Sequence, residues 1–176
     1  MSVRQIDVLF EAETIAARVD AIAHDVIGLL GREPYLVCVL TGGFVFAADL
    51  LRALGRAQAA PGLGFIGLSS YGAGTRSSGE AKLTFEDVAD ISGREVLLVD
   101  DIYETGRTLE RARALLLSRG ARRVFTCVLL DKRGRRQSAL DPDLFGFECP
   151  DRFVVGYGLD LDGRYRELPF VGALQD

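Results

Sequence analysis

The chain has 176 residues, of which 48% are hydrophobic, with a net charge of -4 and a pI of about 5.1. That length points to one domain spanning 1–176, with enough apolar residues for a full core. The acidic balance argues against broad, sequence-blind nucleic-acid binding. No apolar run approaches the roughly 18 residues of a membrane span, and the start lacks the basic-then-apolar pattern of a secretion signal; the expectation is a cytoplasmic protein with no membrane partner.

In chain order, Ile15, Val19, Ile22, Val26, Leu29 and Leu30 recur at spacings of three and four. They predict an amphipathic helix from Glu11 to Leu30, stopped by Gly31. Leu36 to Leu40 reads as an apolar strand, Thr41-Gly42-Gly43 as a turn and Phe44 to Leu54 as a second helix. Leu63 to Leu68 is a second strand. The Gly- and Ser-rich stretch from Ser69 to Glu80 is too long for a simple connection and fits a lid loop. Glu95 to Val99 is a third strand, Gly106 to Arg119 a third helix and Val124 to Leu130 a fourth strand. Arg133 to Pro150 is loop-like, with a turn at Asp141-Pro142 and a short strand near Phe145. Strands alternating with helices predict an α/β fold, a parallel sheet flanked by helices on both faces.

The three cysteines, Cys38, Cys127 and Cys149, are odd in number and widely spaced. This suggests reduced, buried thiols without a disulfide framework or a zinc site. The single histidine, His24, falls in the first helical pattern and reads as structural or exposed. Without a second histidine, serine-type triads and histidine metal sites are not expected.

The most informative run is Val96-Leu97-Leu98-Val99-Asp100-Asp101-Ile102-Tyr103-Glu104-Thr105-Gly106-Arg107-Thr108-Leu109. A buried strand delivers two acids, a Thr-Gly-Arg-Thr turn follows, and a helix opens. Carboxylates accept hydrogen bonds from vicinal sugar hydroxyls. Amides and hydroxyls at a helix N-terminus hold a phosphate, and Gly106 lets the backbone approach it. The run resembles the phosphoribosyl-pyrophosphate (PRPP) signature of type I phosphoribosyltransferases. The bland reading is a buried strand with an acidic turn.

Further on, Leu129-Leu130-Asp131-Lys132-Arg133 and Phe153-Val154-Val155-Gly156-Tyr157-Gly158-Leu159-Asp160 resemble hypoxanthine and hypoxanthine-guanine phosphoribosyltransferases. Ser70-Tyr71 is similar to the start of that family's mobile lid, and Thr41-Gly42-Gly43 to its pyrophosphate loop. The resemblance implies the type I phosphoribosyltransferase fold, with a small hood built from the N- and C-terminal segments. It implies Mg2+ as cofactor, PRPP and a 6-oxopurine as substrates, and a homodimer or homotetramer. It assigns Asp100 and Asp101 to ribose hydroxyls and magnesium, and Thr105, Gly106, Arg107 and Thr108 to the 5'-phosphate. Lys132 corresponds to the lysine that recognises the purine 6-oxo group, which disfavours adenine. Phe153 would stack on the base, Val154 would offer backbone groups to its edge, Asp160 would be a magnesium-side acid, and Arg166 would grip pyrophosphate. The helix after Thr41-Gly42-Gly43 would contribute to a partner surface.

Taken singly, each of these residues has a plainer reading. Lys132 fits a solvated strand end, Phe153 a core position, Asp160 and Asp162 turn caps, and Arg166 a partner of Glu167 or Asp162. Two positions depart from the family pattern. Glu104 stands where the family usually has Asp, its proposed general base; the extra methylene shifts the carboxylate, and misplacement by about 1 Å can cost on the order of a hundredfold in rate. Thr41 stands where relatives usually carry Lys or Arg, and the peptide before it is expected to be cis. Two other classes share the fold. The Thr-Gly-Arg-Thr loop also looks like that of pyrimidine-operon attenuation proteins, which bind RNA, and the Lys132-Arg133-Gly134-Arg135-Arg136 cluster fits either RNA phosphates or a solvated turn. A catalytically weakened paralogue would explain Glu104 and Thr41. The preference among hypoxanthine, guanine and xanthine is not set by these motifs.

Overall fold

The computed structural model describes residues 5–70, 81–138 and 140–175. In chain order these form β1 (Ile6–Phe10), α1 (Ala12–Leu30), β2 (Tyr35–Leu40), α2 (Phe44–Arg56), β3 (Gly62–Ser70), β4 (Ala81–Asp87), β5 (Glu95–Tyr103), α3 (Arg107–Ser118), β6 (Arg123–Asp131), β7 (Leu144–Glu148), β8 (Val154–Val155) and β9 (Val171–Leu174). A short 3-10 turn at Arg133–Arg135 follows β6.

The main sheet runs β4-β3-β2-β5-β6-β7. Of its five pairings four are parallel, and β4 runs antiparallel to β3 at one edge. Successive side chains of a strand face opposite sides, and the apolar runs exploit this. Leu36, Cys38, Leu97, Val99, Cys127 and Leu129 join Ile15, Val19, Ile22, Phe46 and Leu50 of α1 and α2. Val37, Val39, Val96, Leu98, Val124 and Val128 join Leu109, Ala112 and Leu116 of α3 on the other side. Burial on both faces is what demands the continuous apolar runs read in the sequence. Each such Leu or Val contributes about 1.5–3 kcal/mol by leaving water.

The sequence-predicted helices and inner strands are all present within two residues, except that β5 continues four residues past Val99. Asp100 and Asp101 therefore lie inside the last turns of a strand rather than beyond its end, because β5 keeps pairing with β6 as far as Tyr103↔Asp131. Val19 and Val26 are buried as their spacing predicts, whereas Leu29 remains 38% exposed. The short strand near Phe145 is β7. Strands β1, β4 and β9 escaped the periodicity reading. The segment 71–80, which holds most of the expected lid and its Tyr71, lies outside the described residues. Ser70 ends β3, opposite Ala81 of β4.

β1, β9 and β8 form a separate antiparallel sheet in that order, pairing Ile6 with Leu174 and Val154 with Ala173. This is the expected hood. It seats on the main body through Phe10, whose ring stacks on Phe147 of β7 at 4.4 Å. Arg18 of α1 donates to the Phe145 and Gly146 carbonyls at 2.7 and 3.0 Å and holds the same corner. All three cysteines are buried free thiols, and His24 is an exposed helical residue bonded to the Asp20 carbonyl. No described helix is long and apolar enough to cross a membrane.

Candidate active site

The carboxyl ends of β2, β3, β5 and β6 emerge along one edge of the main sheet, where ligands of parallel α/β sheets bind. A cavity of about 240 Å³ opens there. Its walls include Leu40, Gly42, Leu68, Asp100, Asp101, Glu104, Thr105, Gly106 and Thr108.

The local fold of the loop follows from two glycines. Gly106 has φ +87° and caps α3 in the left-handed region, which is costly for any residue with a Cβ. A Cβ there would also lie 2.5 Å from the Ser138 Cβ and 2.7 Å from the Tyr103 hydroxyl. The turn brings the first amides of α3 to the cavity, and Thr105 Oγ1 accepts from the Arg107 amide at 3.4 Å. Arg107 itself is exposed. Across the cavity, a Cβ on Gly42 would fall 1.7 Å from Asp101 Oδ2. Only glycine lets the turn after β2 lie against that carboxylate. The Leu40-Thr41 peptide is cis, as expected, and Thr41 is exposed.

Asp100 is 6% exposed, and its Oδ1 accepts from the Asp101 amide at 3.0 Å. Asp101 Oδ1 accepts from the Ile102 amide at 2.8 Å. Burial, and then the neighbouring Asp101 charge, push the Asp100 carboxyl well above the usual carboxylate range. Burial raises Asp101 as well, against hydrogen bonding from Asp100 and the Ile102 amide and the positive charge of Arg166. A buried Asp100 beside a half-buried Asp101 favours hydroxyl donors or a cation as partners.

The acid pair fits a magnesium ion bound in the usual way, by one or two carboxylates with the remaining positions filled by water and substrate oxygens. A complete protein cage is not offered: among the described residues no three His, Cys, Asp or Glu side chains converge. Asp160 is engaged elsewhere. Its Oδ1 pairs with Arg166 at 2.6 Å and its Oδ2 accepts from the Gly163 amide at 2.7 Å. Arg166 also donates to the Gly158 carbonyl. A Cβ on Gly158 would lie 2.4 Å from the Gly42 carbonyl, so this C-terminal cluster abuts the turn after β2.

Lys132, at the end of β6, is 5% exposed. Its Nζ donates to Glu104 Oε1 and to the Arg152 carbonyl, both at 3.0 Å, and lies 3.4 Å from Asp151 Oδ1. It is no solvated strand end. Phe153 is 54% exposed and so is not a core residue, while the next residue, Val154, is buried in the hood. The structure thus gathers Asp100, Asp101, Glu104, Thr105, Gly106 and Thr108 around the cavity and attaches Lys132 to it through Glu104.

Sequence reasoning missed Asp151 and Asp131. Asp131 is 1% exposed and is bonded by Arg133 and Arg136. Its position at the end of β6 beside a basic run was the available signal. Arg133 also pairs with Glu148 and Arg136 with Asp141, so Lys132, Arg133 and Arg136 all face carboxylates of this chain.

Three comparisons bear on this site. The family model described as phosphoribosyl transferase domain matches residues 5–162. The chain is 41% identical over 175 residues to the hypoxanthine-guanine phosphoribosyltransferase of Aquifex aeolicus, covering 98% of this chain and 97% of that protein. It is 40% identical over 142 residues to the hypoxanthine phosphoribosyltransferase of Escherichia coli K12, covering 81% and 78%. Among solved structures, a hypoxanthine-guanine phosphoribosyltransferase from Bacillus anthracis superposes with a TM-score of 0.89 at 35% identity, over 97% of this chain and 100% of that one.

Proposed function

The chain belongs to the phosphoribosyl transferase domain family, and we propose that it is a purine salvage enzyme. It transfers 5-phosphoribose from PRPP to hypoxanthine and/or guanine, giving IMP or GMP and pyrophosphate. The observation that carries this reading is the contact between Glu104 of the phosphate loop and Lys132 just past β6, which joins a sugar-phosphate cavity to a buried ammonium suited to a 6-oxo group.

Each residue then has a task. Thr105, Gly106, Arg107, Thr108 and the first amides of α3 hold the 5'-phosphate. Asp100 and Asp101 accept the ribose hydroxyls. Thr41, Gly42 and Arg166 flank the pyrophosphate. Asp100 and Asp101 would hold Mg2+, which would neutralise charge on the leaving pyrophosphate. Lys132 donates to the 6-oxo oxygen, Phe153 stacks on the base and Val154 offers backbone groups to its edge. Glu104 takes the imidazole proton of the purine as the bond to the sugar forms. Ser70 and Tyr71 begin a lid that excludes water from the reacting sugar. The same reading has 1–176 acting as one domain, in the cytoplasm, as a homodimer or homotetramer, which size-exclusion chromatography with light scattering decides.

A coupled spectrophotometric assay with PRPP and Mg2+ against hypoxanthine, guanine, xanthine, adenine and uracil tests the activity. Turnover of 6-oxopurines with adenine and uracil silent is expected. No turnover of any base, with nucleotide binding intact, would point to a nucleotide sensor or weakened paralogue. The RNA-binding alternative loses its main support, because Lys132, Arg133 and Arg136 are already paired within the chain.

A further inference from the structure

The Lys132 ammonium has three N–H donors, and three acceptors surround it: Glu104 Oε1, the Arg152 carbonyl and, at 3.4 Å, Asp151 Oδ1. At 5% exposure its charge has to be stabilised by protein groups instead of water. One carboxylate would neutralise it, yet two converge. The surplus has a consequence once a purine enters. Lys132 must give a hydrogen bond to the 6-oxo group, and Glu104 must turn from Lys132 to the imidazole N–H. Were Glu104 the sole counter-ion, base binding would leave a buried ammonium facing only neutral oxygens. Asp151 supplies a counter-charge that the reaction does not consume.

Its setting suits a fixed partner. The Asp151 Cβ lies 3.4 Å from where a Cβ on Gly134 would stand, so the turn after β6 closes against it. The next residue, Arg152, gives its carbonyl to Lys132 and its guanidinium to Asp7 of β1 at 2.7 Å. Two residues on stands Phe153. The pair Asp151–Lys132 thus ties the segment carrying the exposed aromatic to the strand end carrying the ammonium.

We propose that Asp151 is a positioning residue for base recognition: it gives Lys132 a lasting counter-charge and keeps it aimed while Glu104 exchanges that lysine for the purine. The proposal rests on the roles given above to Lys132 and Glu104. Asp151 touches neither PRPP nor the reacting atoms in this account.

The test uses Asp151→Asn and Asp151→Glu in the full-length enzyme with Mg2+. Asp151→Asn is expected to raise the purine KM about tenfold, the scale of one charge-assisted hydrogen bond, and to leave the PRPP KM within about twofold. Asp151→Glu restores most of the loss. In a Lys132→Ala background, Asp151→Asn adds nothing to the purine KM, since the residue it acts through is gone. A readout free of catalysis accompanies this: 1H–15N NMR of the lysine ammonium groups in the unliganded protein. The Lys132 resonance is expected to be protected in the wild type and lost to exchange in Asp151→Asn. An unchanged purine KM with an unchanged ammonium resonance overturns the proposal. So does an equal rise in both KM values with a lowered melting temperature that Asp151→Glu fails to rescue, which marks a merely structural acid. Should the wild type turn over no purine while Asp151→Asn still releases the Lys132 resonance, the function assigned to the site fails and the hold of Asp151 on Lys132 stands.

Discussion

The two halves of the site are built in opposite ways. Apart from the turn at Gly42 that lies against Asp101, the phosphate half of the proposed site comes from one continuous stretch, Asp100 to Thr108, carried by the central strand β5 and the start of α3. Its geometry is set by neighbours in sequence: the Asp101 amide bonds Asp100, the Ile102 amide bonds Asp101, and Gly106 turns the chain. The base half is assembled from distant pieces. Lys132 meets Glu104 across 28 positions and the Arg152 carbonyl across 20, and Arg152 reaches Asp7 across 145. The difference teaches where each substrate's affinity resides. In the proposed reading, phosphate recognition depends on a local turn, whereas base recognition depends on how the hood docks on the main sheet. Glu104 belongs to the first half by sequence and to the second by contact.

The largest expected effect comes from striking that shared residue. Glu104→Gln keeps the shape and removes the base, so kcat should fall about a thousandfold, within the range of general base catalysis, with the PRPP KM nearly unchanged. Steady-state kinetics at saturating PRPP check it. Equal turnover in the variant would remove Glu104 from the mechanism and leave the two halves without a catalytic link.

Next comes a blow confined to the phosphate half. In Gly42→Ala the new Cβ would sit 1.7 Å from Asp101 Oδ2, and the carboxylate has to shift by more than 1 Å. A loss of about a hundredfold in kcat/KM for PRPP is expected, while the melting temperature moves little because the cavity wall is not core. Substrate-titration kinetics and calorimetry separate the two. A normal PRPP constant would mean that Asp101 does not position the ribose.

A smaller and opposite pattern should follow Lys132→Ala. The purine KM is expected to rise about tenfold or more, and the PRPP KM to change by less than about threefold. Glu104 and Asp151 both lose the ammonium they share. An unchanged purine KM would show that the 6-oxo group is read elsewhere and that the halves are not divided as described.

The same division governs what the sequence discloses. The phosphate half is legible because strand, acid pair, glycine turn and helix follow one another, and each local preference agrees with the fold. The inner strands are legible because burial on both faces leaves an unbroken apolar run. β1 and β9 are not, since both are short and their pairing is with distant segments: β1 pairs with β9 alone, and β9 lies between β1 and β8. β4 does carry a polar-apolar alternation, Lys82-Leu83-Thr84-Phe85-Glu86, but the run is short, follows a Gly/Ser-rich stretch and lies at the edge beside β3 alone. Phe153 and Lys132 could be placed only by resemblance. Composition would bury the first and expose the second, and the structure does the reverse. Asp151 carried no signal at all, because its meaning lies in an ammonium 19 positions earlier in the chain, at Lys132.

The smallest effect probes the far end of the base half, where the hood is fastened. Asp7 pairs with Arg152 at 2.7 Å and accepts from Gln175 Nε2 at 2.5 Å. The hydrogen bond from Arg152, followed by that from Gln175, lowers the Asp7 carboxyl from its ordinary value of 3.8. A depressed folded value contributes stability that is fully present above the unfolded value and is lost as pH falls through the folded one. Wild type and Asp7→Asn should therefore differ in melting temperature near neutral pH, by a modest margin because the pair faces solvent. The two curves should converge as the pH falls through the folded Asp7 value, which lies below its ordinary 3.8. Since Arg152 also presents its carbonyl to Lys132, the loosened hood in Asp7→Asn should raise the purine KM slightly and leave the PRPP KM alone. Melting curves from acid to neutral pH, paired with kinetics for both substrates, check this. A parallel gap at every pH would show that the Asp7 charge has no part in fastening the hood, and equal shifts in both KM values would show that the hood steadies the whole site instead of its base half.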